Sequence, residues 1–245
     1  MLVALSSTAQ AATDATHRDP PDGHGGTSTT VIALSAACAT LTILVLAMSA
    51  VDVPYFCRTL FAYVSATWCQ RRPLGLLETA VYSSVCLTTD LDVYLTHMNN
   101  ARYLREIDLA RVEFLLRTGL WRELRRRGGL MFTIANSVRY RKFVRTFARY
   151  EIRNRLVYWD DVSVFFEYRF VTKADGFVRA IVYNRQRVVG CSADELVRSV
   201  AGTKTVDGGA VQRPECPTEI HHWIQSNLVS SANLRAENGG RGNDP

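Results

Sequence analysis

The chain has 245 residues, 47% of them hydrophobic, and a formal net charge of +6. That length supports one domain of ordinary size with extra segments, and excludes a string of independent domains. The charge excess is mild and no nucleic-acid-binding motif accompanies it, so nucleic acid is not an expected partner.

Residues 1–30 end in DPPDGHGGTSTT and are rich in Ala, Thr, Asp, Gly and Pro. They cannot bury a core and are expected to be a disordered tail. Met1 to Leu5 ahead of Ala9-Gln10-Ala11 faintly resembles a signal peptide, but its apolar part is short and it lacks a basic start. Val31 to Val51 carries no charge, and ~20 apolar residues in a helix cross a bilayer core. A transmembrane anchor is therefore expected over residues 31–51. Two alternatives stay open: a buried globular helix, and a late signal peptide cleaved near Ser49, which would send the remainder to secretion. The tail holds Arg18 against Asp14, Asp19 and Asp22, whereas Arg58, Arg71 and Arg72 follow the apolar run. The positive-inside rule then places the C-terminal part in the cytosol, with the endoplasmic reticulum as the expected membrane. Residues 52–74, with the aromatic and amphipathic stretch Phe56 to Trp68, are expected to form an interfacial stalk.

The expected domain covers residues 75–230. Ala80 to Leu87 reads as a first strand. Thr88 to Gly119 (TTDLDVYLTHMNNARYLREIDLARVEFLLRTG) organises the rest. Asn99 and Asn100 suit a helix start, because a short polar side chain satisfies an orphan amide of the first turn. From Arg102 the period is helical: Tyr103, Ile107, Ala110 and Phe114 share a face that Leu104, Val112 and Leu115 widen, and Gly119 closes it. So wide an apolar face predicts a helix wrapped by a sheet. Trp121 to Arg127 is a basic extension closed by Gly128-Gly129. Strands are expected at Leu130–Arg141, Ala148–Tyr158, Ser163–Val171 and Phe177–Val189, with hairpin turns at Asp160-Asp161 and Lys173 to Gly176. A helix over Asp194–Val200, a Gly-rich connection over Gly202–Gly209, a helix over Thr218–Leu228 and a disordered tail over 231–245 complete the chain. One long helix after a first strand, then an antiparallel meander, makes an α+β domain.

Arg139, Arg141, Lys142, Arg145, Arg149, Arg153 and Arg155 alternate with apolar residues. They read either as solvated strand faces or as a basic rim for an anionic ligand such as a coenzyme A phosphate. The six cysteines, Cys38, Cys57, Cys69, Cys86, Cys191 and Cys216, form no CxxC pair and no regular spacing. That pattern indicates neither a metal site nor a disulfide framework, and no bound cofactor is indicated.

A carboxylate placed just before a helix N-terminus has two chemical uses. Asp92 can activate water or attack a carbonyl directly, while amides of the first turn, aided by the helix dipole, face the carbonyl oxygen. The bland reading of Asp90 and Asp92 is turn and cap chemistry, and His97 reads more simply as a hydrogen-bonded residue at the helix start than as a base. Glu106 and Asp108 are expected to pair with Arg102, Arg105 or Arg111 at helical spacing.

The series Asp90-Leu91-Asp92, His97-Met98-Asn99-Asn100-Ala101-Arg102-Tyr103-Leu104 and Asp108-Leu109-Ala110-Arg111 resembles the signature of hot-dog-fold acyl-CoA thioesterases of the 4-hydroxybenzoyl-CoA thioesterase type. Ser137 to Lys142, Trp159-Asp160-Asp161 and His222-Trp223-Ile224 extend the resemblance, which covers roughly residues 75 to 230. The resemblance implies a curved antiparallel sheet around one central helix, a homodimer or higher oligomer pairing sheets edge to edge, and acyl-CoA or a related thioester as substrate. By the same resemblance Asp92 is the catalytic carboxylate, with Asp90 as its rival and His97, Asn99 and Asn100 in support. Tyr103, Ile107 and Phe132 are the candidate acyl pocket. The family pattern is D-x-x-G-H, whereas here His97 lies five residues after Asp92 and Leu95 or Thr96 stands where Gly is expected. The expected function is membrane-anchored acyl-CoA hydrolysis. The alternative is a catalytically inactive domain that binds acyl-CoA or lipid, or scaffolds partners at the membrane.

Overall fold

The computed structural model describes residues 24–50, 52–68, 72–202 and 212–237. The chain divides into two compact units between Tyr55 and Phe56. The expected tail residues 1–23, most of the Gly-rich connection, and residues 238–245 lie outside the described residues.

The first unit is dominated by α1 (His24–Ala50). Its segment Thr29–Met48 has a mean hydropathy of 2.4 and none of it is buried, so it is long and apolar enough to cross a membrane. Its few polar side chains are turned inward on the backbone: Ser35 donates to the Ile32 carbonyl, Thr40 to Ala36 and Thr42 to Cys38. Such back-bonding hides hydroxyls that an apolar solvent would leave unpaired. The helix begins seven positions before the uncharged run.

The second unit contains the greater part of α2 (Val53–Trp68), then β1 (Ala80–Val85), α3 (Asn100–Thr118), α4 (Leu120–Arg126), β2 (Leu130–Tyr140), β3 (Arg149–Trp159), β4 (Ser163–Thr172), β5 (Val178–Val189), α5 (Ala193–Gly202) and α6 (Thr218–Glu237). All strand pairs are antiparallel, and the five-stranded sheet runs β1-β3-β4-β5-β2. β4 is central and buried at nearly every position, which explains its unbroken run of aromatic and β-branched residues. α3 lies on one face of the sheet, with Tyr103, Ile107, Ala110 and Phe114 buried in the core. Gly119 caps α3 with φ 84°, a conformation that costs a residue without Cβ nothing. On the outer face, Trp223 of α6 meets Phe165 edge-on and Tyr183 donates to Glu219. This sheet around one helix is the hot-dog fold.

Two helices depart from expectation. α6 continues to Glu237. Its last turns, SSANLRAE, bury little but consist largely of good helix formers, so propensity carries the helix beyond its packing. α2 is amphipathic, but its apolar side is not the packed one. Arg58, Ala62 and Ser65 turn inward, while Phe56, Leu60, Phe61 and Trp68 are exposed. Small residues at 62 and 65 allow close approach, and Arg58 has a buried partner described next.

Candidate active site

The site is built where β1 hands over to α3. After Cys86 the chain makes a 3₁₀ turn (Thr88–Asp90), then a short hairpin-like loop over Leu91 to Met98, then enters α3. Backbone bonds brace this loop from several sides. Asp92 N–H donates to the His97 carbonyl at 3.0 Å, Asn99 N–H to Asp90 at 2.8 Å, and Met98 N–H to Val144 at 2.9 Å. Leu95 N–H donates to Asp92 at 3.0 Å, and Leu95 itself adopts φ 57°. A leucine in the left-handed region is uncommon. It is one of the two residues, with Thr96, that stand where the resemblance expects glycine. Asn99 caps α3, its Oδ1 accepting from Ala101 N–H at 2.9 Å.

The two aspartates have different surroundings. Asp90 is buried; its Oδ2 accepts the Leu87 amide at 2.9 Å and its Oδ1 lies 3.8 Å from Arg58 Nη1. Asp92 is mostly buried, yet its Oδ1 has no hydrogen-bond partner, and its Oδ2 lies 3.6 Å from His97 Nε2. The His97 ring is held by Thr96 Oγ1 at Nδ1, 2.8 Å away, and packs on Phe143 with centroids 3.9 Å apart. The amides of Val93 and Tyr94 donate to no acceptor among the described residues. Asn100 is exposed and begins α3; its carbonyl accepts from the Tyr140 hydroxyl at 2.9 Å.

Behind the loop lies a buried polar cluster. Glu106, 1% exposed, accepts from Arg58 and Tyr150 at 2.8 Å and from Ser84 at 3.2 Å. Burial opposes the charge on Arg58, but Glu106, with Tyr82, Tyr150 and Asp90 beyond it, outweighs burial and raises the guanidinium pKa. Burial and then the Glu106 charge push the Tyr150 phenol well up. Burial, reinforced by Asp90 and Glu106, pushes the Cys86 thiol up to about 11.

The helical pairing expected for α3 holds for Asp108 with Arg111, 2.7 Å apart. Glu106 instead takes its cation from α2, across 48 positions of sequence. The contribution of Arg58 was not evident from sequence, where it counted only as a flanking charge. Asp90, Asp92, His97 and Asn99 come together as one loop. Tyr103 and Ile107 are buried in the core, while Phe132 stands 47% exposed on β2, and none of the three lines the cavities described here. An apolar cavity of about 480 Å³ lies instead between α2 and α3, lined by Phe56, Leu60, Tyr63, Leu115, Leu116 and Trp121 among others. Among the described residues no His, Cys, Asp or Glu group is arranged to hold a metal ion.

The family profile of the Thioesterase-like superfamily matches residues 86–224, which include the loop, α3 and the sheet strands β2 to β5. The chain belongs to this superfamily. Curated relatives include Protein THEM6 of Xenopus laevis, 41% identical over 78% of this chain and 88% of the relative. Protein THEM6 of Drosophila melanogaster is 38% identical over 76% and 92%. Among solved structures, the probable thioesterase YbaW of Escherichia coli aligns with a TM-score of 0.46 at 18% identity, covering 49% of this chain and 94% of its own.

Proposed function

We propose that the domain hydrolyses acyl thioesters, with acyl-CoA as the substrate class and Asp92 as the working carboxylate. The observation that carries this reading is the buried Asp92 Oδ1, which has no protein hydrogen-bond partner, whereas Asp90 accepts the Leu87 amide and faces Arg58. A carboxylate kept for capping alone would be satisfied. Asp92 takes a proton from water as the water oxygen bonds to the thioester carbonyl carbon. The carbonyl oxygen becomes an oxyanion that the free amides of Val93 and Tyr94 are suited to receive. The C–S bond then breaks and the thiolate leaves with the proton. His97, anchored by Thr96 and Phe143, holds the second Asp92 oxygen in place, and Asn99 fixes the helix start. Asp90 acts through Arg58 and the Leu87 amide as a brace for the loop.

In the same reading α1 anchors the protein in a membrane, the endoplasmic reticulum by expectation, with the domain facing the cytosol. A homodimer pairs β2 edges, whose Leu130, Phe132, Ile134 and Tyr140 are exposed. The rival reading, a domain that binds acyl-CoA without cleaving it, is favoured by the side chains of Leu95, 71% exposed, and Thr96, which stand where the resemblance expects a glycine that would leave the amides open. The test is steady-state release of free CoA by the full chain in nanodiscs, with short, long and aromatic acyl-CoAs. Asp92→Asn should abolish turnover with unfolding temperature retained, and Asp90→Asn should lose stability along with activity. Turnover unchanged in Asp92→Asn refutes the assignment. Saturable acyl-CoA binding without turnover in the parent chain selects the rival.

A further inference from the structure

The turn after β2 and the β4–β5 turn enclose a cleft of about 660 Å³ whose cations the hydrolytic reading does not use. Five cations line it: Lys142, Arg145, Arg149, Lys173 and Arg179, and no carboxylate does. Only Arg179 is neutralised, by Asp175 just outside the cleft. Lys173 donates to Ser83 Oγ at 2.9 Å, and Lys142 lies over the Phe177 ring at 5.5 Å. Neither Arg145 nor Arg149 has a carboxylate partner among the described residues. So much uncompensated charge in one concavity calls for an anion.

Two further residues narrow the choice of anion. Phe143 and Phe147 flank the cleft and are 64% and 67% exposed, and Phe147 is held outward with φ 59°. A free inorganic phosphate would meet the cations but leave these rings in water. A bilayer surface offers anionic headgroups to the cations and an interfacial layer in which aromatic rings are favoured.

We infer that this cleft docks on an anionic membrane, with Lys142, Arg145, Arg149 and Lys173 around a lipid phosphate and Phe143 and Phe147 in the interfacial layer. The inference takes from the proposed function only the membrane-anchored α1 and is independent of hydrolysis. Because Phe143 stacks on His97, docking would also set the outer wall of the Asp92 loop.

The experiment is amide hydrogen exchange on the full chain in nanodiscs of phosphatidylcholine alone or with increasing phosphatidylserine. Exchange of residues 143–146 should slow as phosphatidylserine is added, and 0.5 M salt should reverse the effect. In the Lys142→Glu/Arg145→Glu variant, whose side chains are exposed, the phosphatidylserine fraction giving half the effect should rise at least fivefold, roughly the factor lost per surface cation. Phe147→Asn, which suits the left-handed backbone, should weaken the effect on anionic discs with net charge unchanged. A further arm adds CoA to neutral discs. Slowing by CoA but not by phosphatidylserine overturns the inference in favour of a soluble phosphate ligand. No slowing on anionic discs, or slowing undiminished in the charge-reversed variant, overturns it outright. CoA release measured on the same samples separates failure of docking from failure of hydrolysis.

Discussion

Replacing Arg58 with Met tests how the helix nearest the proposed anchor is tied to the site. The substitution keeps the aliphatic stem and removes a cation bonded to Glu106 at 2.8 Å and to Ser84 at 2.9 Å. Glu106 has a side chain only 2% exposed and would be left with Tyr150 and Ser84 alone. Charge-assisted hydrogen bonds contribute about 1.5–3 kcal/mol and neutral ones about 0.5–1.5 kcal/mol. Breaking a buried ion pair from one side costs about 3–5 kcal/mol. Because the Arg58 side chain is 28% exposed, the lower end applies, and about 3 kcal/mol is expected. For a domain of this size that corresponds to a fall in Tm of about 6–12 °C. The assay is thermal unfolding of the full chain in nanodiscs, followed by near-ultraviolet circular dichroism. Glu106→Gln should cost less, since it leaves a partly hydrated cation. The double variant should recover part of the loss, with a coupling of about 1–3 kcal/mol. A loss below about 0.5 kcal/mol for Arg58→Met, or strictly additive variants, would refute the claim that this pair locks α2 to α3.

Hydrogen bonds from Arg126, Arg127 and Ser199 hold the Glu123 carboxyl well below the usual range. A depressed carboxylate contributes stability that is present above its unfolded pKa and lost as pH falls through the folded one. Glu123→Gln should therefore lower Tm at pH 7, and the gap from the parent should close as unfolding is followed from pH 5 towards pH 2. Cys86, with its thiol near 11, should carry about a hundredth of the thiolate of an ordinary cysteine at pH 8, and should resist iodoacetamide until the chain is denatured, as read by mass spectrometry of its peptide. Leu95→Gly relieves about 1–2 kcal/mol of left-handed strain and incurs about 0.5–1 kcal/mol of added chain entropy, so chemical denaturation should show up to about 1 kcal/mol of stabilisation; a loss of stability would contradict the strain argument.

Much of the fold was legible because single periodicities dominate it. The face of Tyr103, Ile107, Ala110 and Phe114 reads as a helix under a sheet, and the β-branched and aromatic run of β4 reads as a strand. The Asp loop was legible as a sequence of turn formers and caps. What sequence could not supply was pairing across distance. Helical spacing offers Glu106 a choice of arginines on its own element, and nothing local reveals that its cation comes from α2. Nor does composition tell which side of α2 packs, because a helix whose inward face is Arg58, Ala62 and Ser65 contradicts the rule that apolar residues go inside. Sequence likewise cannot separate core from pocket: Tyr103 and Ile107 are buried in the core, and Phe132 lies on an edge strand.

The loop holds a leucine in the left-handed region, at φ 57°. Four backbone hydrogen bonds, from Asp92, Leu95, Met98 and Asn99, fix its path, with Val144 holding it from outside. The turn therefore does not depend on glycine; it tolerates a strained leucine because the surroundings over-determine it. The same bracing explains why two carboxylates two residues apart differ so sharply. Asp90 lies on the braced side, where it accepts the Leu87 amide and faces Arg58, and Asp92 lies on the open side, where its Oδ1 has no protein partner. An unsatisfied buried acceptor costs about 1–3 kcal/mol, an expense that capping alone does not require. A thioester-bound water at that oxygen would remove it, which is why the asymmetry between the two aspartates, rather than their presence, supports the hydrolytic reading.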